Sequence, residues 1–117
     1  MRELRNYAIE KIKRGVLAII LIGSLARGDY TAFSDADLVV IVRDDRRRPI
    51  DRLTEYIDPT LSIDLEPRVY TYNEILRMAC RKDKLIEEII EYGILLAGKR
   101  SIIEEIKKYY EKCRDKS

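Results

Sequence analysis

The sequence predicts an α+β protein of the α/β two-layer kind, in which a small mixed β-sheet carries helices packed on it. Runs rich in β-branched residues alternate along the chain with stretches whose apolar residues recur at helical spacing, and this order is typical of sheets covered by helices. The length of 117 residues suits a single domain over residues 1–117, because it supports one hydrophobic core.

The first part of the chain predicts a helix followed by two strands. Apolar residues recur at helical spacing over residues 2–14, and Gly15 can end this helix. Two β-branched runs at 16–22 and 38–42 then predict strands on either side of a polar loop. Functional residues usually lie in such connections, so we expect the site there.

The middle of the chain predicts a short helix and a third strand. Pro49 can open the helix, which we expect to reach about residue 57. Apolar and polar residues alternate over 61–66, as expected for a half-buried strand. Pro67 is a poor residue for a central strand and marks an edge or an exit.

The last part of the chain predicts three helices and one more strand. Each helix has a start signal, and one of the connections contains a short apolar run. The predicted elements are a helix over 75–81 capped by Thr71 or Asn73, a helix from Asp83 to about Tyr92 that Gly93 stops, a strand over 94–97, and a final helix opened by a Ser101–Glu104 capping box.

Composition excludes several classes of function. The chain has no histidine, so a Ser-His-Asp triad, a Cys-His pair and a Cys/His zinc site are all impossible. The phosphate-binding patterns GxxxxGK[ST] and GxGxxG are absent as well. The net charge is only +2 although 38% of the residues are charged, so the strong field of a dedicated nucleic-acid-binding protein is not expected.

Cysteine use and hydropathy bear on the cellular compartment. Cys80 and Cys113 are far apart in sequence and lack CxxC spacing, which predicts reduced thiols in a cytosolic protein. No apolar run has the length of a signal-peptide core or a membrane span, so we expect a soluble, cytoplasmic protein. The absence of Gln and the abundance of Ile, Lys, Arg and Glu fit proteins from hyperthermophiles.

The loop between the first two strands carries the residues that indicate chemistry. Gly23 and Ser24 are separated by ten residues from Asp35, which is followed by Asp37. Residues two apart on a strand point the same way, so the two aspartates can reach one Mg²⁺ ion. Gly23 would let the backbone lie close to a triphosphate. Ser24 offers a hydroxyl and an amide, and Arg27 can offset phosphate charge.

A third acid is expected on the strand predicted over 61–66. Asp64 could lie beside Asp35 and Asp37 in a small sheet and accept a proton from an attacking hydroxyl. Glu66, on the same strand face, is the alternative, and strand position favours Asp64. Such a set suits in-line attack at an α-phosphate with two metal ions clamping the attacking and leaving oxygens.

The segment GSLARGDYTAFSDAD resembles the GSx10DxD signature of the polymerase-β-like nucleotidyltransferase superfamily, specifically its minimal nucleotidyltransferase branch. The segments SIDLE, VYTYNE and EYGILLAG are similar to further landmarks of that branch. The resemblance implies a palm-like nucleotidyltransferase fold and ATP bound with Mg²⁺. It also implies Asp35, Asp37 and Asp64 as catalytic and metal-binding acids, with Gly23 and Ser24 as the phosphate-contacting pair.

The resemblance implies a partner as well. Many minimal domains are encoded beside a small helical HEPN protein and act as antitoxins, some by transferring AMP to a HEPN tyrosine. Larger relatives hold the acceptor with additional helical domains, for which 117 residues leave no room, so we expect the acceptor to come from outside. The leading hypothesis is therefore a Mg-dependent enzyme that transfers AMP from ATP to a hydroxyl of a partner protein.

The sequence leaves two alternatives open. One is an antitoxin that binds nucleotide and covers a HEPN toxin without chemistry. The other is nucleotidyl transfer to a small molecule or an RNA end with help from another subunit. Both use the same residues, and Tyr30 in the motif loop could lie near the nucleotide in each case.

Overall fold

A computed structural model describes residues 2–28 and 35–113 of the chain. The strands within these residues are β1 (Ala18–Ile22), β2 (Ala36–Val42), β3 (Leu65–Thr71) and β4 (Ile94–Gly98). The α-helices are α1 (Arg2–Lys13), α2 (Gly23–Arg27), α3 (Pro49–Arg52), α4 (Tyr72–Cys80), α5 (Lys84–Tyr92) and α6 (Arg100–Lys112), and a 3-10 helix at Leu53–Tyr56 continues α3. No helix in the described ranges is long and apolar enough to cross a membrane.

The strands form one mixed sheet in the order β3-β2-β1-β4. The central strand β1 pairs antiparallel with both β2 and β4. The other central strand, β2, pairs parallel with β3 at the edge. The expected α+β class, a small mixed sheet with helices packed on it, is confirmed.

Helices cover both faces of this sheet. All five residues of β1 are buried, so its side chains need apolar partners on either side. Leu4 and Ala8 of α1 pack on one face. Ile75 of α4, Ile89 of α5 and Ile106 of α6 pack on the other face. Complete burial of each such isoleucine stabilises the fold by about 1.5–3 kcal/mol. This gain explains why helices cover both faces of the sheet, whereas the sequence predicted one layer of helices on one sheet.

Most of the predicted boundaries are confirmed. The helix α1 stops shortly before Gly15, whose φ of +106° breaks the helical path. Thr71 caps α4, and its hydroxyl accepts from the Glu74 amide while the Glu74 carboxylate accepts from the Thr71 amide. The predicted capping box of the last helix is wrong, because α6 already begins at Arg100 and Ser101 lies inside its first turn.

The third strand differs from its prediction. It begins at Leu65 and runs through Pro67 to Thr71, so the strand predicted over 61–66 is displaced toward the carboxyl end. The prediction that Pro67 marks an edge is confirmed, but Pro67 does not end the strand. An edge strand tolerates proline because only one of its sides is paired, and β3 pairs with β2 alone.

A buried arginine joins the loop after β2 to the start of α4. Arg52 is only 2% exposed. Its guanidinium donates to the backbone carbonyls of Asp45 (2.9 Å), Arg47 (2.8 Å) and Val69 (3.2 Å), and to the Glu74 carboxylate (2.6 Å). Burial of this charge is tolerable because the guanidinium is paired and hydrogen-bonded.

The two cysteines form a disulfide, so the prediction of reduced thiols is wrong. Cys80 at the end of α4 and Cys113 just after α6 have Cα atoms 5.1 Å apart, although 33 residues separate them in sequence. Both helices pack on the same face of the sheet, which brings their carboxyl ends together. Intracellular proteins of hyperthermophiles are a known exception to the rule that cytosolic cysteines stay reduced, and the composition fits that group.

We expect reduction of this disulfide to lower the free energy of unfolding by about 3–4 kcal/mol, because the bond closes a long loop in the unfolded chain. Guanidinium denaturation with and without dithiothreitol measures the difference. A Cys80→Ser/Cys113→Ser variant is the control. Its stability should match that of the reduced protein and should not change when dithiothreitol is added. Equal denaturation midpoints for the oxidised and reduced protein would contradict the prediction.

Candidate functional site

The strands β1, β2 and β3 each have a terminus at the same end of the sheet. Because β1 and β2 run antiparallel, the end of β1 lies beside the start of β2, and Ile22 is in register with Asp37. Because β2 and β3 run parallel, both strands start at this end of the sheet, and Glu66 is in register with Asp37. The chain leaves β1 directly into α2. This end of the sheet therefore brings together the Gly23 turn and acidic residues from two strands.

Gly23 packs directly against Asp37. Its φ of +77° lies in the left-handed region that favours glycine. A Cβ atom at this position would overlap Oδ2 of Asp37 and lie 3.1 Å from its Cγ. Only glycine therefore lets the turn after β1 approach the Asp37 carboxylate this closely.

The short helix α2 carries the other residues expected to contact phosphate. Ser24 lies in its first turn and Arg27 at its end. The residue before the helix, Ile22, provides no side-chain cap. The Gly23 amide instead donates to Oε2 of Glu88 on α5 (2.8 Å), and the Arg27 guanidinium donates to the same oxygen (3.0 Å).

Reasoning from the sequence missed Glu88. It lies in the segment EEIIEY of α5, sixty-five positions after Gly23. Nothing in the local pattern separates it from Glu87 or Glu91, which lie on the same helix. Only the packing of α5 against α2 singles it out, so a pattern within one element could not have found it.

Asp35, Asp37 and Glu66 interact at the end of the sheet where β2 and β3 begin. Asp35 and Asp37 are half-buried, and Glu66 is exposed on the edge strand. A hydrogen bond with Asp37, followed by the negative charges of Asp37 and Asp35, raises the pKa of Glu66. The site thus gathers negative charge that favours a bound cation.

Asp64 is placed differently from Glu66. It precedes β3, and its backbone carbonyl accepts a hydrogen bond from the Ala36 amide at 2.9 Å. Among the described residues, its carboxylate makes no hydrogen bond or ion pair. The side chain that interacts with Asp35 and Asp37 is that of Glu66. In the structure Glu66, and not Asp64, is in register with Asp37, and the identity of the third acid stays a prediction.

The donor set fits magnesium as a partial coordination shell. Carboxylate oxygens are ligands that Mg²⁺ prefers, and the pair Asp35 and Asp37 leaves positions for water and substrate phosphates. Within the described part of the chain, no group of three or more His, Cys, Asp or Glu side chains forms a ready-made metal cage. These residues therefore fit a magnesium ion that arrives with a phosphate ligand better than an ion held by protein alone.

The connection between α2 and β2 is described only at its start. Gly28 ends α2 with a φ of +82°, and a Cβ built there would meet none of the described residues within 4 Å. Residues 29–34 lie outside the described residues, and so does the predicted position of Tyr30 near the nucleotide. The described site has two sides, one formed by α2 and one by the acids of β2 and β3.

A comparison with known protein families agrees with this site. Residues 1–112 match the family described as nucleotidyltransferase domain, and the chain belongs to that family. The resemblance identified from the GSx10DxD segment is thereby confirmed. No curated protein sequence matches the chain.

Solved structures of toxin-antitoxin proteins have the same fold. A chain from a toxin-antitoxin crystal structure with AMP-PNP aligns with a TM-score of 0.59 at 19% identity, over 93% of this chain and 82% of that chain. A chain of MntA-HepT aligns with a TM-score of 0.59 at 18% identity, over 95% and 85%. A chain from a complex of the tri-AMPylated HEPN toxin of Shewanella oneidensis with its MNT antitoxin gives 0.53 at 17% identity, over 95% and 87%. At these identities the likeness establishes the nucleotidyltransferase fold.

We expect Gly23→Ala to cost more stability than Gly28→Ala. Both glycines have positive φ, so each alanine carries a backbone penalty of about 1–2 kcal/mol. The methyl group at position 23 also collides with Asp37, whereas the one at position 28 meets no residue of the described part of the chain within 4 Å. Urea denaturation of the two variants measures the difference. Equal losses of stability would show that Asp37 moves away at little cost.

Proposed function

We propose that the protein is a Mg-dependent nucleotidyltransferase that transfers AMP from ATP to a hydroxyl of a partner protein, and that it acts as the antitoxin of a HEPN toxin. The observation that carries this proposal is that the Gly23 turn packs against Asp37 while Glu66 is in register with Asp37 on the neighbouring strand. Membership of the nucleotidyltransferase family supports the class of reaction.

The choice of donor and acceptor rests on the structural relatives. One of them was crystallised with AMP-PNP, which supports an adenine nucleotide as the donor. Another was solved beside a tri-AMPylated HEPN toxin, which supports AMP as the transferred group and a HEPN protein as the acceptor. Because ATP is the donor, we assign the reaction to the cytoplasm.

In the proposed reaction, the hydroxyl oxygen of the acceptor forms a bond with the α-phosphorus of ATP. The bond from that phosphorus to the oxygen bridging to the β-phosphate breaks, and pyrophosphate leaves. The hydroxyl proton passes to a carboxylate, either Glu66 or Asp64. Bound magnesium, held by Asp35 and Asp37 with the third acid, would supply charge neutralisation at the phosphates.

The helix α2 positions the triphosphate in this proposal. Gly23 keeps the backbone close to the Asp37 carboxylate, so a phosphate at this turn lies near the metal-binding acids. Ser24 contributes a hydroxyl and an amide from the first turn, and Arg27 contributes positive charge from the last residue. Holding the α-phosphate in line with an incoming hydroxyl is the main contribution that a protein makes to this type of transfer.

The acceptor side of the site is open. Glu66 is exposed, and β3 forms an edge of the sheet, so a hydroxyl from a second protein can approach the acids from this side. This arrangement supports an acceptor presented by a partner. Transfer to a small molecule or an RNA end would use the same opening, and co-purification with a partner other than a HEPN protein would favour that alternative.

Asp37→Asn is expected to reduce AMP transfer about a hundredfold or more, because it removes a charged metal ligand while preserving the shape beside Gly23. The assay follows label from α-³²P-ATP to the HEPN partner with and without Mg²⁺. Asp51→Asn is the matched control, since Asp51 is exposed on α3 and pairs only with Arg48 among the described residues.

Undiminished transfer by Asp37→Asn would refute the catalytic proposal. If Asp35→Asn and Asp37→Asn instead neutralised the toxin as well as the wild type, the protein would be an antitoxin that acts by binding. Neutralisation of toxin activity is therefore measured on the same preparations as AMP transfer.

Comparison of Glu66→Gln with Asp64→Asn is expected to identify the third acid. Because Glu66 interacts with Asp37 and Asp35, Glu66→Gln should lower kcat of AMP transfer by about a hundredfold. Asp64→Asn should change kcat by only a few-fold, since its described contact is made by the backbone. The reverse ranking would show that Asp64 turns toward the acids in the substrate complex.

A further inference from the structure

We propose that Glu88 is a positioning residue of the nucleotide site. Its carboxylate fixes the Gly23 amide and the Arg27 guanidinium, and thereby holds α2 in the orientation that presents Ser24 and Arg27 to the triphosphate. The inference rests on the proposed nucleotidyl transfer and adds to it a residue on α5 that does not itself contact the nucleotide.

A single oxygen atom makes both contacts. Oε2 of Glu88 accepts from the Gly23 amide at 2.8 Å and from Nη1 of Arg27 at 3.0 Å. Gly23 is the first residue of α2 and Arg27 is the last. The carboxylate therefore ties both ends of α2 to α5, so the helix cannot rotate about either end without breaking a hydrogen bond.

A helix as short as α2 needs such an external contact. It has five residues, far fewer than a helix requires to be stable by itself in water. The amides at the start of a helix lack partners within the helix, and a polar residue normally caps one of them. Ile22 stands at the cap position and provides no cap. Glu88 supplies the missing acceptor from another helix.

The contact is partly shielded from water. The Glu88 side chain is 29% exposed and the Arg27 side chain 37% exposed. The Arg27 guanidinium also lies 5.9 Å from the centre of the Tyr92 ring, one turn after Glu88 on α5. Two residues of α5 thus hold the guanidinium in place, and the shielding makes their interactions stronger than those of a fully exposed pair.

The same contact fixes the position of Gly23 relative to Asp37. The Gly23 amide is bonded to Glu88, while its Cα atom packs against the Asp37 carboxylate. Loss of Glu88 would free the turn that separates the phosphate side of the site from the metal side. The distance between the triphosphate and the metal-binding acids would then vary, which weakens binding of the Mg-nucleotide complex.

The test compares Glu88→Ala and Glu88→Gln with the wild type in calorimetric titrations with Mg-AMP-PNP. We expect Glu88→Ala to raise Kd about tenfold, because two hydrogen bonds that order the site are lost. Glu88→Gln keeps an amide oxygen that can accept from Gly23, so it should restore part of the affinity. In AMP-transfer assays, KM for ATP should rise more than kcat falls.

Glu91→Ala is the matched control. Glu91 is exposed on the same helix, and its side chain makes no hydrogen bond or ion pair within the described residues. It should leave Kd and KM unchanged. Hydrogen exchange of the Gly23 amide in the nucleotide-free chain gives an independent readout, and we expect about tenfold faster exchange in Glu88→Ala than in Glu91→Ala.

The outcomes separate this inference from the proposed function. If the wild type binds Mg-AMP-PNP and Glu88→Ala binds it equally well, the inference is wrong and the proposed function stands. If Glu88→Ala binds more tightly, Glu88 competes with phosphate for α2 and the positioning role is refuted. If the wild type itself fails to bind, the proposed function fails and this inference fails with it, whatever the exchange of the Gly23 amide.

Discussion

The candidate site depends on the pairing of β2 with two neighbours of opposite direction. Its antiparallel partner β1 ends where β2 begins, and its parallel partner β3 begins there too. Asp37 is consequently in register with Ile22 on one side and Glu66 on the other. If either pairing had the opposite direction, the Gly23 turn or the acid of β3 would lie at the opposite end of the sheet. Strand direction thus determines which residues lie close enough to act together.

The parts of the site that follow from local pattern could be predicted. Gly23, Ser24, Asp35 and Asp37 lie at the ends of two strands that are recognisable from their β-branched residues alone. Which acid of this segment lies beside Asp37 could not be predicted in this way, because it depends on where β3 begins and on its register with β2. Pro67 suggested an early end to the strand, and an edge position removed that constraint.

Contacts between elements far apart in the chain could not be predicted from the sequence either. Cys80 and Cys113 gave no spacing signal, since their bond depends on two helices that pack on one sheet face and end close together. Glu88 is one of several glutamates on an amphipathic helix, and its neighbours in sequence look equivalent. Amphipathic spacing predicts which face of a helix is buried, but it does not predict which polar residue at the margin of that face meets another element.

The distribution of charge links nucleotide and metal. Asp35, Asp37 and Glu66 place negative charge on one side of the site, and on the other side the charge of Arg27 is offset by Glu88. A bare triphosphate would meet net repulsion, and a bare magnesium ion would find only a partial shell of ligands. In the proposed reaction a complex of the two would satisfy both sides, because the acids would hold the cation and the cation would offset the charge of the phosphates. In the proposed reaction, α2 and the acids therefore act as one site, and Glu88 sets the spacing between them.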